Sequence, residues 1–172
     1  MVHDFAESLA ASHEASDLPI WEQIYRRAFP SFCAMVDHRD DGEHQRAGID
    51  RSVILANSKQ LLIDEKIRYK DYPDILLEHT SNDRTNAPGW VCKPLRADYI
   101  AYAIKPAGRC YLLPVIQLQI AWSVYGEAWK RKFRNVPAKN NGYTTHSVAV
   151  PVSHLFPAIG GALRVNFDTV QP

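Results

Sequence analysis

The chain has 172 residues, 46% of them hydrophobic and 23% charged, with a formal net charge of +1. That is an ordinary globular composition, long enough for one well-filled core, and it excludes a polybasic or acidic molecule: any nucleic-acid contact has to come from a local basic patch. Cys33, Cys92 and Cys110 are scattered, so neither a disulfide framework nor a zinc ribbon is indicated and free thiols in a reducing compartment are expected. The N-terminus has no signal-peptide pattern and no apolar run approaches about 18 residues, so a cytoplasmic protein away from membranes is expected.

The first segment with helical character covers residues 4–14. A firmer helix, DLPIWEQIYRRAF, starts from Asp17 as N-cap with Pro19 in its first turn. SFCAMVDH follows as a strand, and RDDGEHQRA as a polar loop. Four strand-like segments come next: Gly48–Leu55, Gln60–Arg68, Asp74–Thr80 and Ala97–Ile104. Asn57-Ser58 between the first two is turn chemistry and predicts a hairpin. The run SNDRTNAPGWVCKPLR reads as a loop, Pro106-Ala107-Gly108 as a turn, and Cys110–Leu113 as a short strand. Pro114 then opens a helix whose stripe is Val115, Leu118, Trp122, Tyr125 and Trp129. KNNGYT is a turn, His146–Val150 a last strand, and Val152 to Ile159 a short helix. The tail from Gly160 has no period. This order predicts a single α/β domain over 1–172, core about 17–159, with a central mixed β-sheet flanked by helices.

Within Gln60–Lys70, alternate residues share a face. Leu61, Ile63, Glu65, Ile67 and Tyr69 make an apolar face broken by Glu65. Gln60, Leu62, Asp64, Lys66, Arg68 and Lys70 make a polar face, with Asp64 beside Lys66. An exposed Asp–Lys pair on a solvated strand would contribute under about 1 kcal/mol and need no function. Asp50, near the start of the preceding strand, changes the weighting. A hairpin about Asn57-Ser58 sets Asp50 opposite Glu65 with Asp64 one diagonal step away; a one-residue shift sets it opposite Asp64. Like charges facing each other destabilise a sheet. Two carboxylates together call for a cation, and Mg²⁺ suits an all-oxygen site. A lysine beside it can orient water and offset transition-state charge.

GID (Gly48–Asp50) followed by IDEK (Ile63–Lys66), on two apolar strands after a helix, resembles the PD-(D/E)xK nuclease superfamily, in particular its small phage- and prophage-type members. The specific part covers Gly48 to Lys66, within a broader likeness over Trp21 to Val150. The resemblance implies a restriction-endonuclease-like fold and Mg²⁺- or Mn²⁺-dependent hydrolysis of DNA phosphodiesters. It implies that Asp50 and Asp64 bind the metal, that the Glu65 carbonyl adds a ligand, and that Lys66 orients the attacking water. The family commonly has an apolar residue where this chain has Glu65. A buried Glu65 needs a partner, which Arg46, Arg51 or Gln45 could supply; otherwise it points into the site as another acid.

Further candidates carry bland readings beside the functional ones. Glu78 and Glu22 are extra acids or surface carboxylates, and Gln45 holds a metal-bound water or sits in a loop. Lys130, Arg131, Lys132, Arg134 and Lys139 form a nucleic-acid patch, or complement the helix dipole. Trp90, Tyr143, Thr144 and Thr145 either touch DNA or pack. His38, His44, His79, His146 and His154 have no zinc spacing, and neither GxSxG nor a phosphate-binding glycine loop occurs. The expectation is a nuclease acting on DNA, with RNA also compatible and a homodimer consistent with cutting two strands. The competing expectations are a non-catalytic nucleic-acid- or protein-binding module on the same fold, and another hydrolase that reuses the two acids.

Overall fold

A computed structural model describes residues 19–169. The helix expected over 4–14, and the Asp17 cap, lie outside the described residues. In chain order the first elements are α1 (Ile20–Ala28), β1 (Phe32–Asp37), α2 (Gly42–Arg46), β2 (Arg51–Leu55) and β3 (Gln60–Arg68). Then come β4 (Asp74–Asn82), β5 (Ala87–Pro88), β6 (Tyr99–Ile104) and β7 (Arg109–Pro114). The last are α3 (Val115–Lys132), β8 (Asn135–Asn140), β9 (Tyr143–Pro151), α4 (Val152–Ala158) and β10 (Leu163–Asn166). The protein is mixed α/β.

These elements form two compact units that interleave along the chain. The first comprises residues 19–71, Leu95–Val115 and 162–169; the second comprises Tyr72–Pro94 and Ile116–Gly161. The first unit holds a six-stranded sheet in the order β1-β2-β3-β6-β7-β10. In it β3 and β6 run parallel and the other neighbours antiparallel. Its core joins Ile20, Trp21, Ile24 and Tyr25 of α1 to Val53, Leu61, Ile63, Ala101, Leu112 and Val165. The apolar stripe of α1 thus covers the odd-numbered face of β3. The second unit holds a four-stranded sheet in the order β5-β4-β9-β8, with Ile75, Leu77, Val148 and Val150 buried on β4 and β9.

Four local features depart from expectation, each for an identifiable reason. RDDGEHQRA contains α2, because the Asp41 carboxylate accepts from the Glu43 (2.9 Å) and His44 (3.3 Å) backbone N–H groups and caps it. The run expected as loop also carries β5, two residues paired to β4. Strands β8 and β10 were not anticipated. Both are edge strands, and β8 contains Pro137, which an edge tolerates.

The β2–β3 turn is the fourth. Ile54 pairs with Gln60, and Leu55 N–H donates to Lys59 O (2.9 Å). The loop is therefore three residues, Ala56-Asn57-Ser58, rather than two, with Ser58 left-handed at φ 62°. Three-residue hairpins commonly end on a left-handed residue. The Asn57 side chain accepts from Lys59 N–H (3.0 Å) and fixes the turn. Every β2–β3 pair consequently has residue numbers summing to 114, as in Arg51 with Ile63 and Val53 with Leu61.

A serine in the left-handed region carries a steric cost that glycine lacks. Ser58→Gly is expected to raise stability by about 0.5–1 kcal/mol, read as a higher urea midpoint at unchanged m-value. A lowered midpoint would contradict the turn geometry.

Candidate functional site

The β2–β3 ladder ends at Arg51 with Ile63, and its register carried one residue further sets Asp50 beside Asp64, the second of the two pairings open to the sequence. Asp50 stands immediately before β2, and its N–H donates to Ile63 O (2.9 Å). Gly48 makes the approach. It turns the chain at φ +70°, and a side chain there would collide with Leu95. On the other side the His38 N–H donates to Asp50 O (2.8 Å), so β1 delivers His38 beside the acid.

Both oxygens of Asp50 are engaged. Gln45 Nε2 donates to Oδ1 (3.0 Å), and the Glu65 N–H donates to Oδ2 (2.7 Å). Each carboxylate oxygen keeps a second lone pair, so this anchoring aims the group without exhausting it. Gln45, expected in a loop or on a metal-bound water, instead lies on α2 and grips Asp50 itself.

Asp64 is buried, and Lys66 Nζ donates to its Oδ1 at 2.6 Å. The Lys66 side chain is 33% exposed. Burial pushes the Asp64 carboxyl up to about 6; Lys66 pulls it down, and the Asp50 carboxylate, within hydrogen-bonding reach, pushes it up again. The even-numbered face of β3 is therefore no solvated ion-pair surface. It holds a desolvated acid, Asp64, between a lysine and a second acid.

Glu65 points away from this site, so it is not a further acid there. Arg51 Nε donates to its Oε1 (2.6 Å), and the Tyr25 hydroxyl donates to the same oxygen (2.6 Å). Of the three partners open to the sequence, Arg51 is the one present. Burial drives the Glu65 carboxyl upward while Arg51 and Tyr25 hold it back.

Glu22, in the same unit, is not brought to Asp50 and Asp64. Glu22 is paired with Arg26 (2.6 Å) on the outer side of α1, and α1 covers the opposite face of β3. Glu78 is on β4, in the second unit. The basic residues also belong to that unit. Lys130 pairs with Glu127, Lys132 lies 3.1 Å from His154 Nε2, and the Arg134 guanidinium lies over Tyr72. Arg131 is exposed, and Lys139 lines a shallow open concavity with Asp83, Arg84, Asn140, Gly142, Tyr143 and Thr144.

A neighbour without a motif to announce it is the pair His38 and His44. Their rings stack at 4.1 Å, His38 Nε2 lies 2.7 Å from Ser52 Oγ, and His44 Nδ1 lies 2.9 Å from Asp41. Burial and His44 hold the His38 imidazole below its ordinary range. Their six-residue spacing signals nothing alone; the β1–β2 register and the Asp41 cap create the cluster.

Among the described residues no group of three or more His, Cys, Asp or Glu side chains is arranged around a metal position. Two carboxylates do fit Mg²⁺, which commonly takes one or two and keeps several waters.

The raised Asp64 carboxyl has a consequence for stability. Its folded value, about 6, exceeds the ordinary 3.8, so the folded state binds the proton more tightly. The contribution is full below 3.8 and is lost as pH rises through about 6. Asp64→Asn removes that loss: the variant should be more stable than the parent by about 1–2 kcal/mol at pH 8, with the difference fading towards pH 4. Urea unfolding at both pH values checks it, and a variant weaker than the parent at pH 8 contradicts the electrostatics described.

No family model, no curated protein and no solved structure matches this chain, so its chemistry has to be read from Asp50, Asp64 and Lys66 themselves.

Proposed function

We propose that the protein is a metal-dependent nuclease hydrolysing DNA phosphodiester bonds, and that its six-stranded sheet is a restriction-endonuclease-like core. The observation that carries this is the Asp50 carboxylate within hydrogen-bonding reach of the buried Asp64, with Lys66 Nζ 2.6 Å from Asp64. Carboxylates so placed repel, and one lysine offsets only part of their charge. The arrangement favours a divalent cation.

Asp50 and Asp64 would hold Mg²⁺ or Mn²⁺ through their side chains, with the Glu65 carbonyl as a further oxygen. The ion would supply Lewis-acid polarisation of the phosphate and a water ionised near neutral pH. Gln45 and the Glu65 N–H hold Asp50 in one rotamer, so the first acid is preorganised. Asp64 must lose its proton to bind, and so affinity for the cation should rise with pH through about 6. Lys66, partly exposed, is placed to orient the nucleophilic water and meet the scissile phosphate. The basic run Lys130, Arg131, Lys132, Arg134, with Lys139, supplies charge for the nucleic-acid backbone. RNA meets the same requirements, and a homodimer would allow two strands to be cut.

A second reading has its own observation. The Lys66–Asp64 pair and the Gln45 and Glu65 bonds to Asp50 already partner both Asp50 oxygens and one Asp64 oxygen. A non-catalytic nucleic-acid- or protein-binding module would use the cluster as a structural clip.

Two measurements separate these. Incubated with plasmid and single-stranded DNA, the protein should cut with Mg²⁺ or Mn²⁺ and not with EDTA. Asp64→Asn and Lys66→Ala should each lower the rate by about 100-fold or more. Without DNA, millimolar Mg²⁺ at pH 8 should raise the thermal midpoint of the parent and leave that of Asp64→Asn unchanged. Absence of both effects would sink the nuclease reading and favour the structural clip.

A further inference from the structure

Glu65 sits between the two residues assigned to chemistry, yet it faces the core. Its side chain and that of Arg51 are each 5% exposed, and Tyr25 is fully buried. Such a charged cluster is a poor choice for stability, since apolar side chains of similar volume usually hold a core as well or better. Its position along the strands suggests another use. Arg51 follows Asp50 in the chain, and Glu65 follows Asp64. The two acids therefore oppose each other on one face, while their immediate neighbours attract on the other.

The β2–β3 backbone ladder runs from Ile54 with Gln60 to Arg51 with Ile63 and ends one residue short of the acids. The Glu65 N–H donates to the Asp50 side chain. Past the end of the ladder, the Asp50 N–Ile63 O bond and side-chain contacts tie the two segments together. Arg51 Nη1 also lies 3.5 Å from Asp37 at the end of β1, next to His38, whose N–H binds Asp50 O. Tyr25 ties the same Glu65 carboxylate to α1.

We propose that the Arg51–Glu65–Tyr25 cluster is a positioning device for the acid pair. It holds β2 against β3 from the core side, so that Asp50 and Asp64 stay opposed and Lys66 stays aimed despite carboxylate repulsion. Glu65 and Arg51 touch no substrate; they act through Asp64 and Asp50. The inference rests on the function proposed above for those acids, but the geometry it claims can be measured without activity.

The test compares the full-length parent, Glu65→Gln, and the double variant Arg51→Leu/Glu65→Leu, which removes both charges together and leaves neither unpaired. Cutting of plasmid DNA with Mg²⁺ gives kcat and KM, and amide hydrogen exchange is followed at Glu65, whose N–H is held by Asp50. The double variant should unfold cooperatively in urea, lose about 100-fold in kcat with KM little changed, and exchange the Glu65 amide faster than the parent. Glu65→Gln keeps acceptors for Tyr25 and Arg51 and should recover most of both losses. Should the double variant fail to fold, Tyr25→Phe removes one bond to the carboxylate without opening a cavity, and is expected to lower kcat and speed exchange in the same sense. Parent-like kcat, or parent-like protection of the Glu65 amide, in a folded variant overturns the proposal. If the parent itself cuts no DNA, the nuclease function fails separately, and exchange at Glu65 alone decides: faster in the variant supports the positioning role, unchanged refutes it.

Discussion

Two carboxylates held side by side repel, and the β2–β3 hairpin brings Asp50, one residue before the ladder, beside Asp64. The cause is local and small. A loop of three residues, ending on the left-handed Ser58, makes paired residue numbers sum to 114. One residue fewer in the loop would have set Asp50 against Glu65. Because side chains alternate along a strand, the same count decides which residues enter the core. It sends Glu65 inward to Arg51 and Tyr25, and leaves Asp64 and Lys66 on the other face.

Much of this was legible in the sequence. The alternation over Gln60–Lys70 identified β3 with its observed bounds, put Glu65 on the apolar face, and put Asp64 with Lys66. The stripe in IWEQIYRRA gave α1, because Ile20, Trp21, Ile24 and Tyr25 recur at helical spacing. The exact register was not legible, since Asn57-Ser58 is compatible with more than one turn length. The partner of Glu65 followed from that register and could not precede it. Strands β8 and β10 escaped because edge strands need little hydrophobic signal. The exposure of β8 alternates at every residue, and its apolar side consists of Val136 and Ala138. What places Gln45 and His38 at Asp50 is the Asp41 cap of α2 and the β1–β2 register, neither of which composition shows.

β3 is best understood as a strand with two opposite electrostatic solutions, one on each face. Towards α1, the Glu65 charge is met by a guanidinium and a phenol, and the cluster is complete within the protein. On the other face, Asp64 is nearly as buried, yet its bonded positive group is a lysine whose side chain is one-third exposed. Desolvation acts on both, but only on the second face is the countercharge a partly exposed side chain, Lys66. That asymmetry distinguishes a structural ion pair from a candidate site more sharply than charge content does, since the two faces carry the same residue types.

Lys66 then has to be considered in two states. Paired with Asp64, it serves as a resident countercharge, and the 2.6 Å bond is what such a pair should form. In the proposed function a divalent ion would take over that neutralising role, and the ammonium would no longer be required by Asp64. A flexible, one-third-exposed lysine can swing towards a phosphate at little conformational cost, whereas a bidentate arginine fixed on the same carboxylate would resist release. The choice of lysine at 66 and arginine at 51 fits this division: the planar guanidinium holds the buried pair that must not move, and the mobile ammonium stands beside the acid whose partner is expected to change.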